Sequence, residues 1–210
     1  MHFAPFSEAE GFFMLDTYGN RPGWLDSSLT ITARVVLGFG IGANALSYVA
    51  LVSGLAAGLL FYCRFPVVAL VCLAVSGLAD AIDGRVARLG SGSTPWGGVL
   101  DLVFDRIVEA AVLLGLTLPY PHLHIPALVL AATWYVNLCV FLAVGAASER
   151  QREKVIVYSS GVVERGEGFF FAAFVGLWPH WGAPAGYLYA ALEIITAIQR
   201  FLAGRRELNP

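Results

Sequence analysis

"GLADAIDGRVARLG" (residues 77–90) comes one residue after the apolar run "PVVALVCLAV" (residues 66–75), and "GGVLDLVFDRIVEAAVLLGL" (residues 97–116) follows it. Asp80 and Asp83 stand three apart, and Asp101 and Asp105 four apart. Each pair therefore lies on one face of an α-helix. The connection "GRVARLGSGSTPWGG" (residues 84–98) is short, so the two helices read as antiparallel neighbours that gather four carboxylates at one end. Ionised carboxylates in or near a bilayer are costly and need partners. Four together repel one another, and one or two divalent cations remove that repulsion. An all-oxygen ligand set suits Mg²⁺, Mn²⁺ or Ca²⁺ and argues against Zn²⁺. A plainer reading is ion pairing, of Asp80 and Asp83 with Arg85 or Arg88 and of Asp101 and Asp105 with Arg106. It accounts for some charge. It does not explain two helically spaced pairs set among Gly84, Ala87, Gly97 and Gly98, small residues that let a flat ligand approach the backbone.

The rest of the chain is built for a membrane. Of its 210 residues 58 % are hydrophobic and 13 % charged, and mean hydropathy is +0.70. Soluble domains carry about 25 % charged residues. A net charge of -2 with no basic tract gives no footprint for nucleic acid. Cys63, Cys72 and Cys139 are odd in number, widely spaced and without a CxxC pair, and read as buried, inert thiols. The N-terminal "MHFAPFSEAEGFF" lacks the basic and long apolar regions of a signal peptide.

A bilayer core needs ~20 apolar residues per helix. The fold class expected is all-α: a polytopic membrane protein with six transmembrane helices. These run approximately over Leu46–Tyr62, Pro66–Asp80, Trp96–Leu118, Ile125–Val144, Gly161–Trp178 and Ala183–Leu202. Ahead of them "SLTITARVVLGFGIG" (Ser28–Gly42) is apolar on one side and broken by glycine, and reads as an N-terminal interfacial amphipathic helix. Residues 1–27 form an N-terminal segment and 28–210 the membrane domain. Lys and Arg fix the orientation. With six spans, Arg21, Arg34, Arg85, Arg88, Arg150, Arg152, Lys154, Arg165, Arg200, Arg205 and Arg206 all fall on one side, and Arg64 alone on the other. Both termini and the aspartates are thus expected to face the cytoplasm. His122, His124 and His180 sit in the outer loops beside Tyr120, Trp178 and Trp181, and read as interfacial polar residues rather than a metal site. His2 carries no signal. Gly54 and Gly58 form a small-xxx-small pattern, open to either close helix packing or a homodimer face.

Carboxylates holding hard cations commonly bind the phosphates of a nucleotide or diphosphate. Two cations can stabilise the attacking and leaving oxygens of an in-line displacement. Arg88 adds a donor for phosphate oxygens, and a carboxylate oxygen can take a proton from an incoming hydroxyl.

Read together, Asp80-x2-Asp83-Gly84-x2-Ala87-Arg88-x8-Gly97-x3-Asp101-x3-Asp105 resembles the signature of the CDP-alcohol phosphotransferase family, with every fixed position and both gaps matched. "NALS" (Asn44–Ser47) resembles that family's "PNxLT" element, with Ala43 in place of the proline and Ser47 in place of the threonine. The resemblance covers about residues 28–202. It implies an enzyme of phospholipid biosynthesis that moves a substituted phosphoryl group from a CDP-linked donor to an alcohol and releases CMP. It implies two Mg²⁺ or Mn²⁺ ions held by Asp80, Asp83, Asp101 and Asp105, with Asp105 as the base. Gly84, Ala87, Arg88 and Gly97 would line the CDP site, with Asn44 and Ser47 near its diphosphate. A compact microbial enzyme in a bacterial or archaeal cytoplasmic membrane, using CDP-diacylglycerol, fits the chain length.

The acceptor is expected along "SERQREKVIVYSSGVVERGEGFFF" (residues 148–171). Glu164 and Arg165 resemble an "ER" element of members that make inositol phospholipids. Gly168 stands where those using a phosphorylated inositol tend to carry a further arginine. Glu109 continues the Asp101–Asp105 face by one turn and is expected to face the polar cavity, with Arg150 a further candidate for the acceptor. Glu193 and Arg200 are charged residues in the last span. Three other functions compete: a CDP-amino-alcohol enzyme acting on diacylglycerol, a cation transporter using the carboxylates, and an aspartate-rich prenyltransferase. The last lacks the Gly-x2-Ala-Arg continuation.

Overall fold

The structure is a computed structural model that describes the backbone of residues 23–90, 92, 94–151 and 165–209. Side chains are described for all of these except 23–26, 148–151, 165, 166 and 207. The described residues form α-helices, two short 3₁₀ turns and no strand. The helices are α1 (Gly23–Gly38), α2 (Ala43–Tyr62), α3 (Pro66–Leu89), α4 (Pro95–Thr117), α5 (His124–Gln151), α6 (Arg165–Leu177) and α7 (Gly182–Leu208). The 3₁₀ turns, Pro121–Leu123 and Pro179–Trp181, sit before α5 and α7.

Local chemistry places the breaks. Pro66 and Pro95 open α3 and α4, where a missing N–H costs nothing. Thr94 caps α4 by accepting from Gly97 N at 3.0 Å. Arg64 turns the chain from α2 into α3 with a left-handed φ of 64°. Its guanidinium donates to the Pro119 carbonyl at 3.1 Å and lies 5.3 Å from the Tyr120 ring centroid. This ties the α2–α3 turn to the α4–α5 connection.

The core is made of small residues where helices cross. A Cβ at Gly58 would lie 2.5 Å from the Ala111 carbonyl oxygen, and one at Gly115 would strike the Gly58 carbonyl. A Cβ at Gly54 would meet Val108. So, of the two readings left open for the small-xxx-small pattern, the structure shows close packing of α2 on α4 within the chain. Ser76 Oγ donates to the Ala50 carbonyl at 2.7 Å and joins α3 to α2. Leu29 and Ala33 of α1 pack on Ile82 and Val86, beneath the aspartate-bearing end of α3.

The outward faces are apolar: Val52, Leu59, Val67 and Val71 are each 60 % exposed or more. Such stripes on helices of membrane-crossing length belong in lipid. The segments Ala43–Tyr62, Pro66–Leu89 and Pro121–Ala147 are each long and apolar enough to cross a bilayer. The protein is an integral membrane protein.

Several boundaries differ from expectation. α3 does not stop at Asp80 but continues to Leu89, so the whole signature segment to Arg88 is helical and the turn shrinks to residues 90–94. α5 runs past Val144 to Gln151. α6, the described part of the expected fifth span, has 13 residues. Loss of hydropathy marks where a helix leaves the bilayer, not where it ends. Cys63 and Cys139 are exposed, not buried, because apolar neighbours in sequence mark a lipid-facing helix as readily as a packed one.

Candidate active site

Three of the four signature aspartates converge. Asp80 of α3 and Asp101 and Asp105 of α4 each offer a carboxylate oxygen, and all of these oxygens lie within 4.8 Å of one another. At an effective dielectric of about 20, two unit charges at that separation repel by roughly 3 kcal/mol. Hard oxygen donors converging from two helices are the donor set of a divalent cation of the Mg²⁺ or Mn²⁺ type, so the residues fit such an ion.

Asp83 lies outside that trio. It is 7 % exposed, and its Oδ2 accepts a 2.6 Å hydrogen bond from Ser47 Oγ of α2. Ser47 was expected near a diphosphate; here its hydroxyl is turned to Asp83. Asn44, one turn earlier, is exposed. Gly84 lies beneath Arg88: a Cβ there would stand 3.4 Å from Arg88 Nη1. Arg88 is exposed and Ala87 half-buried at the same helix end. Gly97 serves the Thr94 cap, where a Cβ would crowd Oγ1 at 3.2 Å. Gly98 faces open space. Tyr48 of α2 meets Phe104 of α4, the residue before Asp105, with ring centroids 5.3 Å apart and planes tilted by 58°.

Arg106 does not make the ion pair with Asp101 or Asp105 that the plainer reading would give it. Its Nη2 bonds Glu109 Oε1 at 2.6 Å, one turn on along the same face. Adjacent residues on a helix point about 100° apart, so Arg106 faces away from Asp105. Glu109 is accordingly paired rather than simply lining a cavity. Arg150 lies in α5 and Arg165 opens α6, both with side chains outside those described, and Glu164 lies outside the described residues altogether. Glu193 is buried, as is Asn137, a polar residue within an apolar span that the sequence reading passed over. Their hydrogen bond joins α5 to α7. A lone Asn in "WYVNLCVF" (residues 134–141) was the available signal. In the outer loops His122 Nε2 lies 3.1 Å from the Pro179 carbonyl and His124 Nε2 3.3 Å from that of Leu118.

The family model for CDP-alcohol phosphatidyltransferase matches residues 41–199, from just before α2 well into α7. The chain belongs to the CDP-alcohol phosphatidyltransferase family. It is 29 % identical over 178 residues to the archaetidylinositol phosphate synthase of Pyrococcus horikoshii, covering 84 % of this chain and 90 % of that protein. Among solved structures, it is similar to Mycobacterium tuberculosis phosphatidylinositol phosphate synthase (PgsA1) in complex with manganese and citrate. The TM-score is 0.69 at 25 % identity, covering 84 % of this chain and 88 % of that one. The same enzyme with CDP-DAG bound gives a TM-score of 0.69 at 24 % identity, over 84 % and 93 % of the two chains. The chain is thus a transferase of phospholipid biosynthesis that uses a CDP-linked donor, an alcohol acceptor and divalent cations.

Proposed function

We propose that this protein transfers the phosphatidyl group of CDP-diacylglycerol to the hydroxyl of a small polar alcohol at the cytoplasmic face of the membrane. The observation that carries this is the convergence of Asp80, Asp101 and Asp105 at the end of the α3–α4 hairpin, within the family's motif. Asp83 completes the ligand set one turn on from Asp80, giving two cation sites. When bound, the cations offset the charge of the diphosphate and of the departing CMP. Asp105 accepts the proton of the acceptor hydroxyl. The hydroxyl oxygen forms a bond to the phosphorus carrying diacylglycerol, the bond from that phosphorus to the CMP phosphate oxygen breaks, and CMP leaves.

Gly84, Ala87, Arg88 and Gly97 line the CDP site, with Asn44 at its edge. Gly84 leaves room for the Arg88 guanidinium to lie along α3, where it donates to phosphate oxygens. Residues 28–210 act as one membrane domain with six spans, α1 lies at the interface, and both termini are cytoplasmic. α1 supports this by burying Leu29 and Ala33 on α3 while Ile31, Val35 and Phe39 stay exposed, an apolar face at the level of the headgroups. A site at that level lets the donor keep its tails in lipid while a polar acceptor arrives from water. Glu109, Arg150, Glu164, Arg165 and Arg200 are assigned to the acceptor side.

The test is CMP release by purified protein in detergent with CDP-diacylglycerol and Mn²⁺ or Mg²⁺, against serine, glycerol 3-phosphate, inositol, inositol phosphate and no acceptor. Release that depends on one acceptor supports the reading. Reaction only of CDP-ethanolamine or CDP-choline with diacylglycerol would reverse the donor and keep the chemistry.

A further inference from the structure

Between α5 and α7, Asn137, Glu193 and Arg200 form a chain of hydrogen bonds, and the Trp134 indole also donates to Glu193. Asn137 Nδ2 donates to Glu193 Oε2 at 2.5 Å, and Arg200 Nη1 donates to Asn137 Oδ1 at 2.9 Å. Glu193 is 5 % exposed and Asn137 8 %. The Arg200 guanidinium lies 5.7 Å from the Phe141 ring centroid, and its Nε is buried with no hydrogen-bond partner among the described residues.

The arrangement is unusual for its charges. Glu193 and Arg200 are two turns apart on one face of α7. In a low-dielectric interior a carboxylate and a guanidinium ordinarily close on each other, often through two parallel hydrogen bonds. Here an amide stands between them. The carboxylate still offsets part of the guanidinium's desolvation through space, but only one of its five N–H donors is used by the bridge. A buried donor left without a partner is costly, and an oxyanion supplies what it lacks. By chain direction Arg200 lies towards the same end of the bundle as Asp105.

We propose that Asn137 is a spacer: it holds Arg200 off Glu193 and so presents the remaining guanidinium donors to an oxyanion of a reactant. The inference rests on the reading above in one respect, that Arg200 faces a reactant. The oxyanion belongs to either the acceptor alcohol or the donor diphosphate. Asn137 and Glu193 touch neither and are positioning residues.

The spacer has a signature that a packing role lacks. In Asn137→Ala, Arg200 can close on Glu193 and be neutralised. Adding Glu193→Gln removes the competing carboxylate and should release Arg200. The experiment titrates inorganic phosphate against the thermal midpoint of the purified full chain in detergent. Phosphate should raise the wild-type midpoint, and Arg200→Ala should abolish the shift. N137A should need about tenfold more phosphate, the equivalent of one amide-held donor set, and N137A/E193Q should return to within about twofold of wild type. E193Q alone keeps the Arg200–Asn137 hydrogen bond and removes the competing carboxylate, and should bind phosphate at least as tightly as wild type even if N137A does not fold. In CMP-release assays N137A should raise the KM of one reactant about tenfold and leave kcat and the other KM unchanged; the reactant affected identifies the oxyanion. A double variant no better than N137A, weaker phosphate binding in E193Q, or a wild type indifferent to phosphate would overturn the proposal. Absence of CMP release with every acceptor would sink the transferase reading and leave the phosphate titration to decide the spacer.

Discussion

Ser47 Oγ donates a 2.6 Å hydrogen bond to Oδ2 of Asp83, and through it α2 grips α3 at the level of the aspartates. Both residues are buried. The bond fixes the rotamer of a carboxylate one turn from Asp80, so an element on α2 sets the geometry of the motif on α3. Ser47→Ala leaves Asp83 short of a donor in a buried position. The expected cost is about 1–3 kcal/mol, read as a lower thermal midpoint, together with a higher Mn²⁺ concentration for half-maximal CMP release. Ser47→Thr keeps the hydroxyl and should behave as wild type. Equal metal dependence in S47A and wild type would detach Ser47 from the cation site.

Asp105 sits with Asp80 and Asp101, and it is the base of the proposed reaction. Asp105→Asn keeps the shape and removes the basic oxygen. Turnover should fall by at least about 100-fold, the scale of general-base catalysis, while binding of the CDP donor, measured by equilibrium titration, is largely kept. A D105N protein that still turns over would pass the role of base to another carboxylate.

The aspartate trio also predicts a stability effect independent of turnover. Three oxygens within 4.8 Å repel until a cation joins them. Chelation should abolish CMP release and lower the thermal midpoint, and Mn²⁺ should restore both. A ligand at about 100 times its Kd adds about 2.7 kcal/mol to the folded state. Asp101→Asn should flatten the response of the midpoint to Mn²⁺. A midpoint that chelator and Mn²⁺ leave unmoved would argue against cation binding by this trio.

Much of this was legible in the sequence because charge inside an apolar run has few solutions. Two carboxylate pairs at helical spacing across a short turn dictate the α3–α4 hairpin and the convergence of Asp80, Asp101 and Asp105. Residues whose role depends on a third helix were not legible. The turn of Asp83 towards Ser47 needs the α2–α3 crossing. Arg106 had carboxylates before and after it, and only the helix phase selects Glu109 over Asp105. The Gly54–Gly58 pattern fits any close-packed partner, and Gly115 and Ala111 on α4 show which one it meets. Helix ends were misplaced where α3 and α5 extend beyond their apolar stretches. Asn137 went unremarked because one amide hardly changes the hydropathy of its span.

Two glycines that look alike in sequence should respond in opposite ways. Gly58 packs its Cα against the α4 backbone, where a Cβ would stand 2.5 Å from the Ala111 carbonyl oxygen. Backbone cannot move aside as a flexible side chain can, so Gly58→Ala should force α2 from α4. A loss of about 1–3 kcal/mol is the usual scale for overpacking, read as a lower midpoint in detergent. Gly98 lies in the first turns of α4, three residues before Asp101, with nothing within 4 Å of a Cβ. Gly98→Ala should therefore leave the midpoint unchanged or raise it, since alanine favours helix over glycine by up to about 1 kcal/mol. The informative quantity is then activity. If G98A is as stable as wild type and the KM for CDP-diacylglycerol is unchanged, the surface above Gly98 is solvent. If stability holds while that KM rises, the donor approaches α4 there and the glycine is needed for its passage. A G98A protein less stable than wild type would contradict the open space around that residue.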